Sequence, residues 1–73
     1  MNVKVGAKTW RMSRNEYEGL LKVASEQVPF GVYAVEKADY AELRADHCQS
    51  STKLKQLTQQ YRQQGFKVRA NGR

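Results

Sequence analysis

The chain has 73 residues, a formal net charge of +6 and one cysteine; a domain of this size buries only about 60% of its unfolded surface, so it has no room for a cofactor-sized cavity. A lone Cys48 excludes an intrachain disulfide and fits a reducing compartment, the apolar runs fall far short of the roughly 20 residues of a membrane span, and the start lacks the apolar core of a signal peptide. The expectation is a single compact basic domain over residues 1–73, cytoplasmic and without membrane attachment.

The opening MNVKVGAKTWRMSR carries Lys4, Lys8, Arg11 and Arg14 and no acid. Val3 and Val5 alternate as on a strand, and the large apolar residues Trp10 and Met12 resume with the opposite parity after Gly6. A bulge or a tight turn at Gly6 produces that switch, so the segment is one bulged strand or a small hairpin. Ser13 followed by Glu16 predicts a capping box. Tyr17, Leu20, Leu21, Ala24 and Val28 then form one helical stripe, which Pro29 ends. FGVYAVEK (30–37) reads as a short strand buried on both faces.

ADYAELRAD (38–46) is a fork. A strand here gives a βαββαβ, ferredoxin-like order. Three alanines, Leu43, Glu42 and Arg44, with a second capping box from Asp39 to Glu42, favour a helix. Ser50 and Ser51 then cap a helix to about Gln64, with Leu54, Leu57 and Tyr61 as its apolar side and Gly65 at its C-cap. FKVRA (66–70) is a half-exposed strand with Lys67 and Arg69 on its polar side, and NGR follows as a frayed end. The expected fold class is α+β: strand-helix-strand-helix-helix-strand, the helices covering one face of a small sheet.

Charge is segregated along this order. Residues 1–15 carry +4, residues 16–46 hold all seven acids and carry −4, and residues 47–73 carry +6. If the first and last strands are neighbours, Lys4, Lys8 and Arg11 meet Lys67 and Arg69 in one basic face suited to phosphate or an acidic protein. The candidate partner-binding residues are therefore Lys4, Lys8, Trp10, Arg11, Arg14, Lys67 and Arg69. Trp10 reads first as core; its alternative is an interface anchor. Tyr17, Tyr33, Tyr61 and Phe66 read as core, whereas Phe30 and Tyr40 are left unassigned. The glutamine-rich helix with Lys53, Lys55 and Arg62, together with Arg73, forms the candidate nucleic-acid set, because Gln, Lys and Arg make phosphate and base-edge contacts.

Chemistry of the catalytic kind is not signalled. Asp46, His47 and Cys48 are consecutive, no second His or Cys completes a zinc set, and no glycine spacing marks a phosphate loop. The reading is a binding protein, not an enzyme, with no cofactor or metal. One partner class is DNA, through a helix-turn-helix of residues 39–47 and 51–64 with GFKVRANGR as a wing, as in an excisionase or small repressor. The DHCQSS connection is long for the usual 3–4-residue turn of that motif.

MNVKVGAKTWRMSRNEYEGLL, the length, and the closing YRQQGFKVRANGR resemble a small transcription regulator made by a lytic bacteriophage. The resemblance runs over the whole chain and rests on no compact motif. It implies a monomer in the bacterial host's cytoplasm that binds host RNA polymerase near the β′ amino-terminus and the β flap, beside the RNA exit channel. It further implies inhibition of σ-dependent initiation and antitermination; a basic face at that channel can meet both acidic polymerase surface and nascent RNA. The acidic middle then either faces away or mimics nucleic acid.

Overall fold

Gly6 is where the chain first turns. The computed structural model describes residues 1–72 and gives this glycine a φ of 63°, between β1 (Asn2–Val5) and β2 (Lys8–Arg11). Val5 pairs with Lys8, so the loop has two residues, of which only the first has positive φ. That is the type II′ pattern, whose twist matches the flanking strands. The parity switch is thus a hairpin and not a bulge.

Ser13 caps α1 (Arg14–Gln27) as expected: the Glu16 N–H donates to Ser13 Oγ at 3.2 Å, and the Ser13 N–H donates back to Glu16 Oε1 at 3.2 Å. Tyr17, Leu21 and Val28 of its stripe are buried. β3 (Gly31–Lys37) and β4 (Tyr40–His47) form a second hairpin, closed by the Lys37–Tyr40 pair around Ala38, whose φ is 48°. Ser50 caps α2 (Ser51–Gln63). Its end is a Schellman motif: the Phe66 N–H donates to the Tyr61 carbonyl at 3.1 Å and the Gly65 N–H to the Arg62 carbonyl at 3.0 Å. Gly65 has the required positive φ, 91°, and the Phe66 and Tyr61 rings meet edge-on at 6.2 Å. β5 (Lys67–Asn71) closes the fold.

Residues 40–46 are therefore a strand, and the expected helix there is corrected. The reason is a period of two. Ala41, Leu43 and Ala45 take one face, while Tyr40, Glu42, Arg44 and Asp46 take the other, where Arg44 bridges Glu42 at 2.8 Å and Asp46 at 3.2 Å. Helix-prone residues are held extended because β4 bonds to strands on both sides. The helix-turn-helix loses its first helix by the same finding.

The five strands lie in the order β2-β1-β4-β3-β5, with β1 parallel to β4 and every other pair antiparallel. Register sets Trp10, Val3, Ala41, Glu36 and Lys67 in one row across the sheet, and Thr9, Lys4, Glu42, Val35 and Val68 in the next. Adjacent rows point to opposite faces. Tyr17 of α1 reaches Glu36 on the first face, and Tyr61 of α2 reaches Asp46 on the second. The helices thus cover opposite faces, α1 across β3 and β4, α2 across β3 and β5. The expectation that both helices share one face is corrected. A strand buried on both sides, as read for 30–37, needs a layer on each: Val32, Ala34 and Val35 are all 0–1% exposed. Fully burying each valine contributes roughly 1.5–3 kcal/mol.

Two further features position the rest. β3 runs so close to β4 at Gly31 (φ 150°) that a Cβ there would overlap the Asp46 carbonyl oxygen. And β5 joins the sheet beside β3, so β4 and β3 separate it from β1. At about 4.8 Å per strand, β1 and β5 lie roughly 14 Å apart. The βαββαβ order that follows from a strand at 38–46 is formed, with β2 added to its first strand as a hairpin, but the first and last strands are not neighbours, so neither the ferredoxin-like strand arrangement nor the composite basic face is formed.

Candidate functional site

The amino-terminal basic residues are held on the β1–β2 hairpin at one margin of the sheet. Alternation sends Lys8 and Trp10 to the α1 side and Lys4 and Arg11 to the α2 side. β2 is exposed along its whole length, and Trp10, expected first as core, is 52% exposed. Val5 lies diagonally across from it on the same side, 38% exposed. The Met1 ammonium donates to the Met12 carbonyl at 2.8 Å, which fastens the open end of the hairpin. Among the described residues, Lys4, Lys8 and Arg11 have no side-chain hydrogen bond or ion pair. Arg14, at the start of α1, lies 4.0 Å from Glu18 in an exposed pair of little energetic consequence.

The carboxyl-terminal basic residues stand elsewhere. Arg69 points to the α1 side of β5, where its Nε donates to Glu36 Oε2 at 3.0 Å. The same oxygen accepts from the Tyr17 hydroxyl at 2.6 Å. Burial pushes the Glu36 carboxyl up, but the hydrogen bonds from Tyr17 and Arg69 and the nearby charges outweigh it and hold the group below its ordinary value. Burial and the Glu36 bond raise the Tyr17 phenol well above its ordinary value. Arg69 is thus a structural cation, and of the two carboxyl-terminal candidates only Lys67 is exposed.

Lys53, Lys55 and Arg62 of the candidate nucleic-acid set are exposed on α2, while Arg73 lies outside the described residues. No side chain of α2 is fully buried. The helix is held by Leu54, Leu57 and Tyr61, whose hydroxyl donates to Asp46 at 2.7 Å. Burial, then the Asp46 bond, pushes the Tyr61 phenol up to about 12. A groove of about 610 Å³ lies between α2 and β5, with Phe30, Leu54, Lys55 and Arg62 among its lining residues. A second, of about 480 Å³, lies on the other side of α2 against His47 and Cys48. The Asp46-His47-Cys48 run does not converge: Asp46 serves Arg44 and Tyr61, and the Cys48 thiol contacts the Asp46 carbonyl at 3.6 Å.

Of the residues expected together, Lys4, Lys8, Trp10 and Arg11 share the β1–β2 hairpin but divide between its two faces, and the strand order separates Lys67 and Arg69 from them. Sequence reasoning missed Glu36 as the acceptor that Tyr17 and Arg69 share. The lone acid flanked by Val35 and Lys37 in a doubly buried strand was the available signal for Glu36, because such a carboxylate needs a cationic partner. Comparison with known proteins gives no match, whether to a family model, a curated protein or a solved structure.

Proposed function

We propose that this chain is a bacteriophage-encoded regulator of host RNA polymerase that acts as a monomer in the host cytoplasm. It binds near the β′ amino-terminus and the β flap, inhibits σ-dependent initiation and promotes antitermination at the RNA exit channel. The observation that carries the reading is the β1–β2 hairpin: an exposed, acid-free edge strand with a half-exposed tryptophan at its centre. Trp and Arg dominate interface energetics, and a cationic edge suits an acidic macromolecular surface. The resemblance of the opening and closing segments to phage transcription regulators names that surface.

The division of charge between the two layers supports a one-sided contact. α1 carries Glu16, Glu18 and Glu26 against Arg14 and Lys22, whereas α2 carries Lys53, Lys55 and Arg62 and no acid. With α2 turned toward the exit channel, those cations meet the phosphates of nascent RNA. The titratable clusters satisfy one another (Tyr17, Glu36 and Arg69; Arg44, Asp46 and Tyr61), which suits a binding protein better than an enzyme.

The test is capture of core RNA polymerase from bacterial lysate, with and without nuclease, against binding to duplex DNA at the same salt. The reading expects nuclease-resistant capture of polymerase and weak, sequence-independent DNA binding. Tight sequence-specific binding to DNA without polymerase would overturn it.

A further inference from the structure

The hairpin offers more than charge. In an antiparallel pair, hydrogen-bonded and non-hydrogen-bonded positions alternate. Met1 and Met12 exchange both bonds: the Met12 N–H donates to the Met1 carbonyl at 3.0 Å and the Met1 ammonium to the Met12 carbonyl at 2.8 Å. Counting from there, Val3–Trp10 and Val5–Lys8 are the bonded pairs of the register, and Thr9 and Arg11 turn their N–H and C=O groups away from the sheet. β2 is the last strand on its side, so these groups are a template for another strand.

We propose that the free edge of β2 receives an extended acidic segment of the partner protein as an added strand. Only the partner's identity rests on the functional reading above. An added strand alternates its side chains between the two faces. On the α2 side they meet Arg11, with Lys4 one strand further in; on the α1 side they meet Lys8 and the apolar surface of Trp10 and Val5. Carboxylates find a cation on either face, and one apolar residue finds the tryptophan.

Charge also selects among occupants. A second copy would bring another acid-free hairpin against this one, and like charges set opposite each other destabilise strand pairing. RNA would satisfy the lysines and arginine through phosphate and leave the Thr9 and Arg11 backbone groups without strand partners. The opposite edge offers an incoming strand fewer free side chains. Arg69 is engaged by Glu36, and Asn71 Nδ2 donates to the Val28 carbonyl at 3.0 Å and to Ser25. Among the described residues the large apolar side chains that stand exposed are Val5, Trp10 and Val23, none of them on β5.

The test reads amide hydrogen exchange in the free chain and with a short, end-blocked peptide alternating glutamate and valine. Exchange at Thr9 and Arg11 should slow at least about tenfold. The lysine-for-glutamate peptide should have no effect. Thr9→Pro removes an outward N–H at a position where an edge strand tolerates proline, and should abolish the slowing at an unchanged melting temperature. Amides that exchange equally fast with the acidic peptide overturn the proposal, as does equal slowing by single-stranded RNA, which would assign the edge to phosphate. Capture of core polymerase decides the functional reading separately. Capture undiminished by Thr9→Pro leaves that reading intact and overturns the strand addition; slowed amides without capture keep the strand addition and remove polymerase as its owner. Should Thr9→Pro lower the melting temperature, the exchange of the parent chain's amides decides.

Discussion

The sheet ends in a basic strand on either side, and the two ends use their cations differently. On β5, Arg69 is bound to Glu36, and Asn71 is tied to the carboxyl-terminal end of α1. On β2, Lys8, Trp10 and Arg11 project from a strand exposed at every residue, with no acid within the first fifteen positions. Which charges are available to a partner is decided by where the acids lie. Glu36, half-buried in the strand next to β5, consumes one arginine there, and among the described residues no acid pairs with β2. The β5 edge is built into the fold and the β2 edge is displayed by it.

Substitution should separate the two edges, and the largest effect belongs at Glu36. Glu36→Ala leaves the buried Tyr17 hydroxyl and Arg69 without their shared acceptor. The expected loss is about 2 kcal/mol, or roughly 10 °C in Tm for a domain of this size. Arg69→Ala should cost less, about 1 kcal/mol, because the arginine is partly solvated. A Tm unmoved by Glu36→Ala would mean that β5 is as free as β2.

The pH dependence follows from the same oxygen. The Glu36 carboxyl is held below its ordinary value of 4.5, so the stability it contributes is complete above that pH and lost as pH falls through the lowered value. Thermal melts should be flat near neutrality and fall in acid, and Glu36→Gln should flatten that acid limb. At the alkaline end, the raised phenols of Tyr17 and Tyr61 contribute stability that is complete below pH 10.0 and lost as pH rises through their folded values. Tyr61→Phe should shrink the alkaline loss.

Much of this was legible in the sequence. The parity switch at Gly6 announced a bulge or a hairpin, between which the structure chose, Ser13 and Glu16 announced the cap of α1, and Gly65 announced the end of α2. Those signals are local, each carried by residues that touch one another along the chain. β4 was misread because Ala41, Leu43 and Ala45 carry helical propensity and strand alternation at once, and pairing on both sides chose between them. The order of strands was illegible for a related reason. Nothing within β5 tells whether it will lie beside β1 or β3, and that choice determined whether the two basic ends met. Trp10 was misplaced with it: a strand at the margin of the sheet exposes what an inner strand would bury.

At β2 the stability effects should be the smallest of all. Lys8→Ala and Arg11→Ala should each stay within about 0.5 kcal/mol of the parent. Their effect belongs in binding, where Trp10→Ala should weaken polymerase capture at least about tenfold. The two charge removals should cost less and should matter less at high salt. A Tm drop at Trp10→Ala as large as that of Glu36→Ala would erase the difference between the edges.

The proposed function puts the β1–β2 hairpin at the exit channel of an elongating polymerase. It is tested most directly by in vitro transcription on a template with one promoter and one intrinsic terminator, adding the protein after initiation. More read-through is expected, lost when Lys8, Trp10 and Arg11 are replaced together by alanine and retained in Lys67→Ala. Termination efficiency unchanged by the parent protein, or read-through undiminished in the triple variant, would contradict it.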